Sequence, residues 1–157
     1  MSRDDIGDRG QWLFCLLMTD LCGRDAPFFR PRFLGDKFPT FDYLVELVDH
    51  PAFFFFVQVK TTTQGYTKDP IRLKVQVSTE DVNRMVSCPA PTYVAGIDSE
   101  SGSGYLLSVN EEREHVASLV TLFPLNCGNL QVLRDEVVGY WSSRNMVLTG
   151  SRFNETR

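Results

Sequence analysis

Residues 53–61 read Phe-Phe-Phe-Phe-Val-Gln-Val-Lys-Thr. A strand with one wet face alternates apolar and polar side chains, and four successive phenylalanines break that pattern. The segment is therefore expected to be a central strand with both faces covered. Such a strand needs two apolar layers, and helices able to supply them are readable. Asp8 to Cys22 is predicted as a first helix with a broad apolar face of Trp12, Leu13, Leu16, Leu17 and Leu21, ended by Gly23. Residues 111–123, with Val116, Leu119, Val120 and Phe123, and residues 130–141, with Leu130, Leu133, Val137, Tyr140 and Trp141, repeat the helical spacing. Ser78 reads as the N-cap of another helix, with Asp81 at its third position and Val82, Met85 and Val86 on one face. Pro89 and Pro91 close it.

The remaining elements are strands. Phe41 to Val48 is joined to the phenylalanine strand by the short Asp49-His50-Pro51 turn, and Phe28 to Leu34, interrupted by Pro31, belongs at an edge. Ile71 to Val77 alternates, and Thr92 to Ile97 with Tyr105 to Val109 reads as a hairpin around the Ser99–Gly104 tip. The expected fold is an α/β or α+β sandwich: a mixed central sheet flanked by helices. A length of 157 residues suits one domain.

Several function classes fall away. The apolar runs Trp12–Met18 and Ala52–Val57 are far short of the ~20 residues of a membrane span. The first segment, with Arg3, Asp4, Asp5 and Asp8, has no basic region or small-residue cleavage site of a signal peptide. A soluble, cytoplasmic chain without a membrane partner is expected. Cys15, Cys22, Cys88 and Cys127 form no CxxC and have no His at ligand spacing, so free thiols are expected rather than a zinc site or disulfides. His50 and His115 have no nucleophile motif beside them, which leaves Ser-His and Cys-His hydrolysis unsupported.

The informative chemistry lies at 41–60. Gln58 and Lys60 point to one face of the strand, at the end of an otherwise apolar run where an amide and an ammonium need partners. Asp42 opens the neighbouring strand of the hairpin, so a carboxylate, an amide oxygen and an ammonium are expected to converge at one end of the sheet. That set suits a divalent metal with oxygen ligands and a cation beside a phosphate. The plainer alternative is a polar strand end with an Asp42–Lys60 surface salt bridge.

These residues resemble the PD-(D/E)xK nuclease superfamily, in the Mrr-like variant where Gln replaces the second acid. The wider stretch, about 5–110, is similar to the bacterial domain-of-unknown-function 4365 family. The likeness rests on Gly7-Asp8-Arg9-Gly10, Phe41-Asp42, Val57-Gln58-Val59-Lys60-Thr61, Ile71-x-Leu73, Ser78-Thr79-Glu80-Asp81 and Pro91-Thr92-Tyr93-Val94. It implies a restriction-endonuclease-like fold and Mg²⁺- or Mn²⁺-dependent cleavage of nucleic acid, DNA first, in bacterial defence or mobile-element biology. Asp42 and the Gln58 oxygen would hold the metal with the Val59 carbonyl, Lys60 would steady the water or the phosphate, and Asp8 would match the acid of the first helix. Asp42 and Gln58 carry one formal negative charge between them, so a third acid is required. Asp8 is preferred over Asp36 and over Glu46, which lies roughly 13 Å along the strand from Asp42. The same fold without catalysis, as an interaction module, is the alternative function.

Charge bears on the partner. Sixteen basic and twenty acidic residues give −4, unlike a free-standing nucleic-acid binder. Residues 24–37 and 58–84 nevertheless carry local positive surpluses, while 98–115 is acidic. Nucleic-acid contacts are accordingly assigned to Arg30, Arg32, Lys68, Arg72 and Lys74. The weak overall charge favours a homodimer or a component of a larger complex.

Overall fold

The phenylalanine segment is β3 (Phe54–Thr62), the middle strand of a five-stranded sheet. On one side it pairs antiparallel with β2 (Tyr43–Leu47), which pairs antiparallel with the edge strand β1 (Phe29–Phe33). On the other it runs parallel to β5 (Thr92–Asp98), and β6 (Ser103–Ser108) follows antiparallel. A separate two-stranded ladder joins β4 (Arg72–Leu73) to β7 (Leu119–Val120). The helices are α1 (Arg3–Met18), α2 (Thr79–Ser87) and α3 (Cys127–Ser142). This computed structural model describes residues 1–110, 115–144 and 147–155. The fold is α+β with a mixed sheet.

Both apolar layers are present. Phe14 and Met18 of α1 and Leu130, Leu133 and Val137 of α3 pack with Tyr43, Val45, Phe55, Val57, Tyr93 and Ile97 on one face. On the other, Val82 and Met85 of α2 and Leu73, Val75 and Leu119 pack with Phe41, Val94 and Leu107. Parallel strands need a long crossover, and α2 lies within the one that links β3 to β5.

The structure corrects four expectations. The first helix begins at Arg3, because Ser2 and Asp5 form a reciprocal capping box, and ends at Met18 with Thr19 as C-cap rather than at Gly23. The 71–77 segment contributes β4 and isolated bridges from Leu73 to Tyr66 and from Val77 to Val116, and stays outside the main sheet. Of the helix expected over 111–123, residues 111–114 lie outside the described residues; Leu119–Val120 is a strand whose Leu119 side chain is buried among Leu73 and Val75. Finally, Cys22 and Cys127 are joined in a disulfide, while Cys15 and Cys88 are free. The fold brings the turn after α1 against the first residue of α3, a proximity that spacing in the chain does not reveal.

Candidate functional site

β2 begins at Tyr43, opposite Val57, while β3 continues to Thr62. Beyond that pairing, Asp42 supplies an acceptor with its side chain: its Oδ2 takes the Val59 N–H at 2.7 Å. The carboxylate is thus tied to the backbone between Gln58 and Lys60. These two side chains share the face covered by α2, since Gln58 is opposite Val94 and Lys60 opposite Gly96 on β5.

The helix contributes a further acid. Asp81, three residues into α2 from the Ser78 cap, accepts from Gln58 Nε2 on Oδ2 and from Thr40 Oγ1 on Oδ1, both at 2.9 Å. An ionised carboxylate only accepts, so this bond must use the amide nitrogen of Gln58 and leaves its oxygen turned away. Gln58 is buried, and Oε1 has no hydrogen-bond partner among the described residues. Thr40 reaches Asp81 from a backbone with φ +70°, at the centre of a turn closed by the Phe41 N–H donating to the Pro39 carbonyl. A β-branched residue in that region is strained, and this strained position abuts the polar cluster.

The two carboxyls titrate in opposite directions. Burial raises Asp42 above the ordinary carboxylate range; the Val59 N–H and Lys60 only partly oppose it, and the charges of Asp81 and Asp36 add to the rise. Burial also acts on Asp81, but hydrogen bonds from Gln58, Thr40 and Ser78 and the charge of Lys60 outweigh it and hold this group low. One cation therefore serves two acids. Lys60 makes no direct ion pair with Asp42 among the described residues, where the pairs are Arg32–Glu46 and Arg134 with Asp49 and Asp135.

Asp42, Gln58, Val59 and Lys60 thus come together as the spacing predicts, but the third acid of the cluster differs from the one preferred. Asp8 is exposed on α1, beside Met1, Asp5, Arg9 and Trp12. That helix covers the opposite face of the sheet, with Gly10 against Thr61. Glu46 is engaged by Arg32, and Asp36 is exposed yet close enough for its charge to act on Asp42. Asp81 and Thr40 are the residues that sequence reasoning missed. Arg30 and Arg32 lie on β1, on the sheet face shared with Gln58, whereas exposed Lys68 and Lys74 and half-buried Arg72 belong to the 62–74 segment and β4. No helix among the described residues is long and apolar enough to cross a membrane. Compared with family models, curated proteins and solved structures, the chain matches none.

Proposed function

We propose that this chain is a metal-dependent phosphodiesterase acting on nucleic acid, DNA first, with Asp42, Gln58 and Lys60 as its working groups. The observation that carries the reading is the buried Gln58 oxygen, left without a hydrogen-bond partner among the described residues beside a carboxyl that burial has raised. An unsatisfied buried acceptor costs on the order of 1–3 kcal/mol, and a bound ion is one of the partners that would offset that cost.

The donor set fits a hard divalent cation. Asp42 and the Gln58 oxygen would hold Mg²⁺ or Mn²⁺, with the Val59 carbonyl completing the protein's share. A cation bound there supplies Lewis acidity and a water of lowered pKa. The chain's own groups do the rest. Asp81 fixes the amide of Gln58 so that oxygen is presented, Asp42 is anchored by the Val59 N–H, and the Lys60 ammonium offers its charge to a phosphate oxygen.

One observation favours a second reading, an interaction module of the same fold. Asp81 accepts from Thr40 and Gln58, one on each oxygen, and Asp42 Oδ2 accepts from the Val59 N–H, so among the described residues the cluster has a single carboxylate oxygen, Asp42 Oδ1, with no hydrogen bond to the protein. Plasmid nicking with Mg²⁺ or Mn²⁺ separates the two. The enzyme reading expects nicking by the wild type and its loss in Lys60→Ala; equal nicking by both proteins, or none by either, removes it.

A further inference from the structure

One pleat beyond Lys60, a cleft of about 490 Å³ wraps the end of β3. Its floor is Thr61, Thr62 and Thr63; Arg3 on α1 forms one wall, and Lys74 and Gln76 after β4 form the other. Of the described residues that line it, two are charged, and both are cationic: Arg3 and Lys74. Neither is in an ion pair among the described residues. In a chain of net charge −4, the charge carried by these described lining residues is wholly positive. The rest of the described lining is hydroxyl, amide or aliphatic, with no aromatic ring among it to stack on a base.

The geometry points to this cleft as a backbone subsite for a single nucleic-acid strand, gripping phosphates between Arg3 and Lys74 without reading bases. Two cations lining one cleft, flanked by hydroxyl and amide donors, suit the phosphodiesters of a strand. Phosphate contacts of this kind position a strand and carry no sequence information. Thr62 follows Lys60 on the same face of β3, so a strand lying in the cleft is led toward the Asp42–Gln58–Lys60 cluster. The direction of that path rests on the nuclease reading, whereas the binding does not.

The test is fluorescence anisotropy in EDTA, where no metal is available for cleavage, with labelled oligothymidylate and oligodeoxyadenylate. Wild type is expected to bind both equally at low salt. The double variant Arg3→Gln/Lys74→Gln should bind more weakly, with the slope of log K against log salt reduced by about 1.4, at ~0.7 per lost phosphate contact. Arg3→Lys/Lys74→Arg should keep the wild-type slope, which separates charge from misfolding. An unchanged slope in the glutamine variant, equal loss in both double variants, or competition by inorganic phosphate as strong as by the oligonucleotide overturns the subsite. Binding without nicking would remove the enzyme and keep the subsite; nicking with wild-type KM by the glutamine variant would do the reverse.

Discussion

Gly10 of α1 faces Thr61 of β3 so closely that a Cβ on the glycine would lie 1.7 Å from the threonine Oγ1. The helix can rest on the sheet at that height because one residue lacks a side chain. Gly7, one turn earlier in the same helix, has nothing within 4 Å of the corresponding point. The two glycines therefore predict opposite signs. Gly7→Ala should stabilise by up to about 1 kcal/mol through helix propensity. Gly10→Ala should destabilise by roughly 1–3 kcal/mol through overpacking, despite the same propensity gain. Urea midpoints of the two variants check this, and a stabilised Gly10→Ala would place α1 wrongly.

Gln58→Glu tests the metal chemistry at the site itself. Without metal, the new carboxylate would face Asp81 where an amide N–H now donates, so the variant should melt below the wild type at neutral pH. Mn²⁺ should then raise its melting temperature more than it raises that of the wild type, because a second anionic ligand has been added. Calorimetric titration of both proteins, with Asp42→Ala as control, gives the readout. Mn²⁺ binding that survives Asp42→Ala would locate the metal elsewhere.

Thr40 combines an unfavourable backbone with a bond to Asp81, and two substitutions separate these effects. Both Thr40→Ala and Thr40→Gly lose the hydroxyl, but glycine tolerates positive φ. The glycine variant should be the more stable by roughly 1–2 kcal/mol. Thermal denaturation of the pair decides it, and equal stability would remove strain from the account.

Asp98 ends β5 and holds the hairpin tip, accepting from Ser101 Oγ at 2.8 Å and from the Glu100 N–H at 3.1 Å. Burial pushes its carboxyl up, but these bonds and one from Tyr66 outweigh that effect and hold it below the ordinary range. Its stabilising contribution is fully present above the unfolded pKa of ~4 and is lost as pH falls through the lower folded value. Asp98→Asn should cost about 1–2 kcal/mol at pH 7, and the gap to wild type should close on acidification. Denaturation series at pH 7 and pH 3 measure it; a gap that widens in acid would contradict the assignment.

What the sequence reveals and what it conceals divide along a physical line. Asp42, Gln58 and Lys60 are legible together because hairpin pairing and strand parity are short-range rules. Asp81 and Thr40 are not, because their bonds depend on where α2 docks; an acid three residues after Ser78 reads as part of a helix start. The disulfide is hidden for the same reason. Val116, Leu119 and Val120 fit a helical stripe, and Leu119–Val120 becomes a strand only because β4, distant in sequence, lies beside it.

The Cys22–Cys127 bond also has a mechanical consequence. All seven strands among the described residues, and α2, lie between the two cysteines, 105 positions apart. A pull applied at the two ends of the chain would travel along the backbone through α1, the sulfur bridge and α3, and would bypass the backbone of the sheet. Roughly 350 Å of extended chain stays locked behind the bond until it is reduced. A tension that unravels both ends would strip Phe14, Met18, Leu130, Leu133 and Val137 from one face of the sheet, while the strands that carry the candidate site stay tethered inside the closed loop.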